Sequence, residues 1–235
     1  MSRRMAVLIL LVLCLGVGCA RPSAPPLALN PAPWQSGERL SYDWVNRNGE
    51  GIGTTEIAVA QEGEAWTITW ADKVTGLDQT FTIRIRTDNL RPLGETKTVK
   101  AANTDATIST TYSGNKLQIE AVVNGQSRSA SVDVPENALD NDQLLMTLRA
   151  APFAEGYSAG LVTVVSANAS RLNTTIRVTG QEAITVPAGT YQAWRVELDF
   201  GAAKQTAWYE VEAPQNRLQY DNGATRMRLG ADAGG

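Results

Sequence analysis

From Gly37 onward apolar and polar residues alternate with a period of two, and this rhythm constrains the fold more than any other feature of the chain. Successive side chains of a strand point to opposite faces, so alternation marks a sheet with one buried and one wet face. Leu40, Tyr42 and Trp44 alternate with Ser41 and Asp43, Trp66, Ile68 and Trp70 with Thr67 and Thr69, and Phe81, Ile83 and Ile85 with Thr82, Arg84 and Arg86. Two further runs, Leu117, Ile119, Ala121 and Ala130, Val132, Val134, flank Asn124-Gly125, a pair suited to a tight hairpin that needs positive φ at both positions. Later, Trp194, Val196, Leu198 and Phe200 oppose Arg195, Glu197 and Asp199. Turn residues at Asn48-Gly49, Glu62-Gly63, Pro187-Ala188-Gly189 and Asn222-Gly223 punctuate the runs. The expected fold is mainly β: an antiparallel meander of about a dozen strands curled into a half-barrel or barrel.

One segment departs from the rhythm. Asp140-Asn141-Asp142-Gln143 reads as a capping box, with Asp140 capping the first amides and Gln143 reaching back. Leu144, Leu145, Leu148 and Ala151 then recur at helical spacing, and Arg149 and Pro152 mark the end. The pattern predicts one amphipathic helix over 140–150, packed on the concave apolar face of the sheet.

Ahead of the β region lie Arg3, Arg4 and the uncharged run Met5 to Val17. A basic start followed by a short apolar run is a signal-peptide pattern, too short to span a bilayer core of about 30 Å. Leu15-Gly16-Val17-Gly18-Cys19 resembles the site cut by the lipoprotein signal peptidase, which makes Cys19 the expected lipidation point. The domain plan is therefore a signal peptide over 1–18, a lipidated Cys and Pro-rich tether over 19–33, a single β-rich domain over 34–230 and a flexible tail over 231–235. Five prolines between Ala20 and Pro33 favour an extended spacer of up to about 43 Å. The expected location is the cell envelope, lipid-anchored outside the cytoplasmic membrane, and the outer membrane where there are two.

From Cys19 onward the chain carries nineteen basic and twenty-four acidic residues, a balance that offers nucleic acid no footprint. Cys19 is also the only cysteine left, so no disulfide or thiolate metal site is expected. The chain has no histidine, which removes His-based triads and the commonest general base. Asp133 and Glu136 flank Pro135, and Asp140 and Asp142 are close in sequence, but residues two apart on a helix do not face each other. The acids around Asp140 suit the positive end of the helix dipole, and calcium is disfavoured because the loop lacks EF-hand spacing and its terminal glutamate. No catalytic residue, metal or cofactor is expected. Six tryptophans against three phenylalanines leave two readings, a dry core or the wall of a cavity. The residues expected to line such a cavity are Trp44, Trp66, Trp70, Leu144, Leu148 and Trp194.

The stretches Gly37-Glu38-Arg39-Leu40-Ser41-Tyr42, Leu139-Asp140-Asn141-Asp142-Gln143-Leu144-Leu145, Val186-Pro187-Ala188-Gly189-Thr190-Tyr191 and Ala207-Trp208-Tyr209 resemble a family of uncharacterised exported bacterial β-rich domains. The resemblance spans nearly all of residues 37–230 and implies a fold, with no activity to carry over. In architecture it is more distantly similar to the lipoprotein carriers LolA and LolB, which bind acyl chains in a hollow. The expected function is that of a non-catalytic envelope lipoprotein binding a lipid or other apolar ligand in the sheet hollow. The alternatives are a scaffold or adhesion module that binds an envelope protein and, last, a histidine-free hydrolase. Expected partners are the membrane, through N-terminal acyl chains, and a lipid or envelope protein, with no nucleic acid.

Overall fold

A computed structural model describes residues 24–231. The signal peptide, Cys19 with its expected acyl chains, and residues 232–235 of the expected tail lie outside the described residues.

Fifteen strands form one continuous sheet, in which two meanders meet at the middle. The first arm is β1 (Arg39–Asn46), β2 (Gly51–Glu62), β3 (Ala65–Val74), β4 (Leu77–Arg86), β5 (Pro92–Ala101), β6 (Thr104–Ser113), β7 (Lys116–Val123) and β8 (Gln126–Asp133). The second is β9 (Leu139–Asp140), β10 (Ser158–Val165), β11 (Ser170–Val186), β12 (Gly189–Asp199), β13 (Lys204–Glu210), β14 (Arg217–Asp221) and β15 (Thr225–Leu229). Each strand pairs antiparallel with the next in the chain, save that β8 and β9 lie at opposite edges, unpaired with each other, and β9 runs parallel to β10. β1 pairs with β15, so the first and last strands sit side by side at the centre. The expected hairpin is present: Val123 pairs with Gln126 around Asn124 at φ 51° and Gly125 at φ 78°.

Connectivity forces this sheet to curl. Fifteen strands about 4.8 Å apart cover about 67 Å edge to edge. Only five residues separate the end of β8 at one edge from the start of β9 at the other, a reach of about 21 Å. The edges must therefore approach, and side chains rather than a backbone ladder bridge them. Ile108, Leu117 and Ile119 of the first arm share a cluster with Val134, Ala138 and Val164.

The helix fills the hollow so formed. α1 (Asn141–Thr147) continues into a 3₁₀ turn, Leu148–Ala150, which together match the segment expected to be helical. Its apolar residues serve two half-cores. Met146 and Ala150 pack with Ile57, Ile68 and Trp70, while Leu144, Leu148 and Ala151 pack with Ile176, Val196 and Tyr209. Polar contacts pin it from several sides. Gln143 donates to the Leu90 carbonyl at 3.0 Å, Tyr209 to the Leu145 carbonyl at 2.9 Å, and Gln215 to the Arg149 carbonyl at 2.9 Å. The fully buried Gln143 does not close the expected capping box: its amide nitrogen donates to the Leu90 carbonyl and the Thr147 hydroxyl, and its Oε1, the atom that would accept the Asp140 N–H, has no hydrogen-bond partner among the described residues. Arg149, itself buried, pairs with Glu38 and donates to Asn216 Oδ1 at 2.6 Å.

Residues 24–33 do not stand off from the body as a spacer. Gly160 of β10 donates to the Pro25 carbonyl at 2.7 Å and accepts from Leu27 N–H at 3.1 Å, while Asn30 N–H reaches the Ala150 carbonyl at 2.8 Å. Leu27, Leu29 and Ala32 pack on the core and Trp34 is buried. The segment covers a sheet edge that would otherwise present unpaired backbone groups.

Candidate functional site

Two of the places where this frame holds polar groups out of water are candidates for a site. The first is the seam where the arms meet. β4 faces the interior with Phe81, Ile83 and Ile85, and its register sets Glu95 opposite Ile83 and Lys97 opposite Phe81. Glu95 and Lys97 are thereby turned inward. From the other arm Asp140 arrives at the end of β9 and Asp142 on the first turn of α1. One carboxylate oxygen from each of Glu95, Asp140 and Asp142 lies within 4.8 Å of the others.

Hydrogen bonds hold the cluster. Tyr112 donates to Asp140 Oδ2 at 2.7 Å, Asp142 N–H to Asp140 Oδ1 at 3.0 Å, and Ser166 to Glu95 Oε2 at 3.2 Å. The Lys97 ammonium binds Asp142 Oδ2 at 2.6 Å and sits 5.3 Å from the centre of the Phe81 ring. Glu95 Oε1 is buried without a partner among the described residues. Burial, and then the charges of Asp140 and Asp142, push the Glu95 carboxyl up to about 10. Burial and the Asp142 charge likewise push Asp140 up to about 7. Burial opposes the charge on Lys97, but the Asp142, Glu95 and Asp140 carboxylates outweigh it and hold its pKa above the ordinary value. Burial and the Asp140 charge raise Tyr112, keeping it a neutral donor.

The expectation that Asp140 and Asp142 point apart is corrected. Asp140 is the extended N-cap, at φ −68° and ψ 141°, so the spacing rule for two helical residues does not govern the pair. Asp133 and Glu136 lie elsewhere, paired with Lys116 at 2.8 Å and Arg91 at 3.2 Å. Glu95, Lys97 and Tyr112 escape a sequence reading because each sits in a polar strand. Only the register of β4 on β5 reveals the face that Glu95 and Lys97 occupy.

The second place is the aromatic interior of the sheet. Trp70 stacks on Phe81 at 5.5 Å and donates to Asp72 at 2.7 Å, Trp66 meets Trp34 edge-on at 6.2 Å, and Trp44 donates to Thr55 at 2.7 Å. These three gather in the half-core with Met146, whereas Trp194 joins Leu144 and Leu148 in the other. The six residues expected to line one cavity thus divide between the two sides of the helix. Among them lies Arg217, 1% exposed, its guanidinium 4.4 Å from the Tyr42 ring and 4.8 Å from Trp70. Its Nε and Nη1 have no acceptor among the described residues.

A family model described as a protein of unknown function, DUF3108, matches residues 39–226. No curated protein matches the chain. The chain is similar in fold to a β-barrel-like protein of a domain of unknown function, DUF1849, from Brucella abortus. The identity is 12% and the TM-score 0.54, over 83% of this chain and 95% of that one. A predicted lipoprotein of Parabacteroides distasonis aligns at 9% identity over 87% of this chain and 97% of that one, with a TM-score of 0.30. That superposition is too loose to bear on the fold.

Proposed function

We propose, for a chain that belongs to the DUF3108 family of proteins of unknown function, a non-catalytic role as a cell-envelope lipoprotein that binds a partner protein along an open sheet edge. The observation that carries this reading is β8. Its eight residues end the sheet with no strand beyond them among the described residues, whereas Pro25 to Leu27 cover the edge of β10. β8 contains no lysine or proline, two residues that commonly guard such edges. Beside it a cavity of about 430 Å³ is lined by the small polar Thr107, Ser109, Ser127 and Ser129, the charged Glu120 and Arg128, Ala121 and the exposed Val122. An extended segment can add to an open edge through main-chain hydrogen bonds while such a trough selects its side chains.

Acylation of Cys19 would hold this surface near the membrane. Five residues carry the chain from Cys19 to Ala24 beside Gly160, a reach of about 18 Å. Metabolic labelling with a fatty-acid analogue should mark the wild type and leave Cys19→Ala unlabelled; label retained on the variant would end the lipoprotein reading.

The binding reading is tested by a photo-crosslinking residue at position 129 of the full lipoprotein in cells, with position 62 as an exposed control. A discrete envelope-protein adduct is expected at 129 alone. Ser129→Pro should compete poorly for that partner, because in a two-residue hairpin the N–H of this position points away from β7. Equal adducts from both positions, or none, would count against the edge.

Arg217 favours a second reading. A buried cation without a counter-ion is costly, and the acidic head of an apolar ligand lying among the aromatic rings would supply one. In that case the hollow, rather than the edge, is the working surface.

A further inference from the structure

We infer that Glu95, Asp140 and Asp142 form a binding site for a hard divalent cation, with calcium the best fit, at the seam between the two arms of the sheet. Three separate elements, β5, β9 and α1, each bring one carboxylate to the same point. Two oxygens bound on opposite sides of one calcium at about 2.4 Å would stand about 4.8 Å apart. That is the outer limit of the separations here. All three ligand atoms are carboxylate oxygens, a set that suits calcium or magnesium and holds no attraction for softer metals.

Helix capping accounts for Asp140, and the dipole accounts for an acid at Asp142. Neither accounts for Glu95, which comes from a strand 45 residues earlier in the chain, is 3% exposed, and carries one oxygen, Oε1, with no hydrogen-bond donor among the described residues. Buried acceptors left alone are rare and destabilising, and a cation in the cluster would take this one. Crowding points the same way: the three carboxyls face a single ammonium, and a bound dication would let them ionise together. Tyr112 and Ser166 already hold Asp140 and Glu95 in orientation, the part that outer partners of metal ligands play. Lys97 and Asp142, with side chains 12% and 16% exposed, are the cluster's contact with solvent. The lysine neutralises Asp142 until a cation displaces it, and its flexible stem gives it a route outward.

The test uses the full lipoprotein in detergent, stripped with EDTA and titrated with calcium chloride by calorimetry, with thermal melts in parallel. One calcium per chain and a higher Tm are expected. Glu95→Gln should weaken binding at least about tenfold. Lys97→Met removes the competing ammonium and should bind calcium more tightly than the wild type. Silence of both the wild type and Lys97→Met up to about millimolar calcium would overturn the site and leave a carboxyl pair that shares a proton. Glu95→Gln binding as the wild type does would overturn it equally.

Discussion

Glu95 holds its place through a glycine. A Cβ at Gly94 would stand 2.5 Å from the Thr110 carbonyl oxygen, so β5 and β6 can approach there only because that side chain is absent. Thr110 Oγ1 then accepts the Glu95 N–H at 3.0 Å, and the carboxylate turns in toward Asp140 and Asp142. This arrangement has a pH signature. The folded protein holds protons on Glu95 up to about pH 10 and on Asp140 up to about pH 7, whereas free carboxyls lose them near pH 4. The folded chain therefore binds more protons than the unfolded one above about pH 4. The stability this contributes is complete below that pH and is lost as pH rises, through about 7 for Asp140 and about 10 for Glu95. Urea melts in EDTA should show stability falling from pH 5 to pH 9, with a shallower fall in Glu95→Gln. A flat profile in the wild type would mean the cluster is not charged as described. Of these residues, Asp140 and Asp142 are legible in the sequence as a helix start. Glu95 and Lys97 are not, because a slip in pairing between Arg84 and Ile85 shifts the register from which their facing follows.

The helix is the element that sequence alone locates well, since a run of leucines at helical spacing between a capping aspartate and a proline has few other readings. Its role in dividing the core is less legible: Leu144, Leu148 and Ala151 make a stripe, while Met146 and Ala150 on the opposite side are a single pair four apart, too short a pattern to mark a second buried face. Burial on two sides predicts a large cost for truncation. Leu148→Ala and Leu144→Ala, at positions 0% and 2% exposed, should each lower stability by about 2–5 kcal/mol, against about 0.5 kcal/mol or less for an exposed change such as Gln118→Ala. Denaturant melts in which both leucine variants match the wild type would remove the helix from the interior. The proline-rich segment shows the opposite limit. Prolines argue for an extended chain, and the backbone of residues 25–27 is indeed strand-like, but nothing in composition says that it runs along β10.

At the scale of the whole molecule, strand content and the antiparallel meander follow from alternation and turns, because both are local. The pairing of β1 with β15 is not local. It joins residues near opposite ends of the described chain, and any meander could in principle have remained two separate sheets. The junction makes one sheet of fifteen strands, the short link from β8 to β9 curls it, and the helix occupies what the curl encloses. Tryptophans that could have walled an empty cavity instead stack and hydrogen-bond around that helix. An interior so occupied favours the proposed binding at the β8 edge over binding in the hollow. The direct test is titration of the acyl-free Cys19→Ala protein with a fluorescent fatty-acid probe, followed by probe and intrinsic tryptophan emission together. A filled interior predicts no saturable binding at micromolar probe and an unchanged tryptophan spectrum. Saturable binding with a shift in tryptophan emission, weakened by Trp66→Ala, Trp194→Ala or Arg217→Met, would contradict it and make the hollow the binding site.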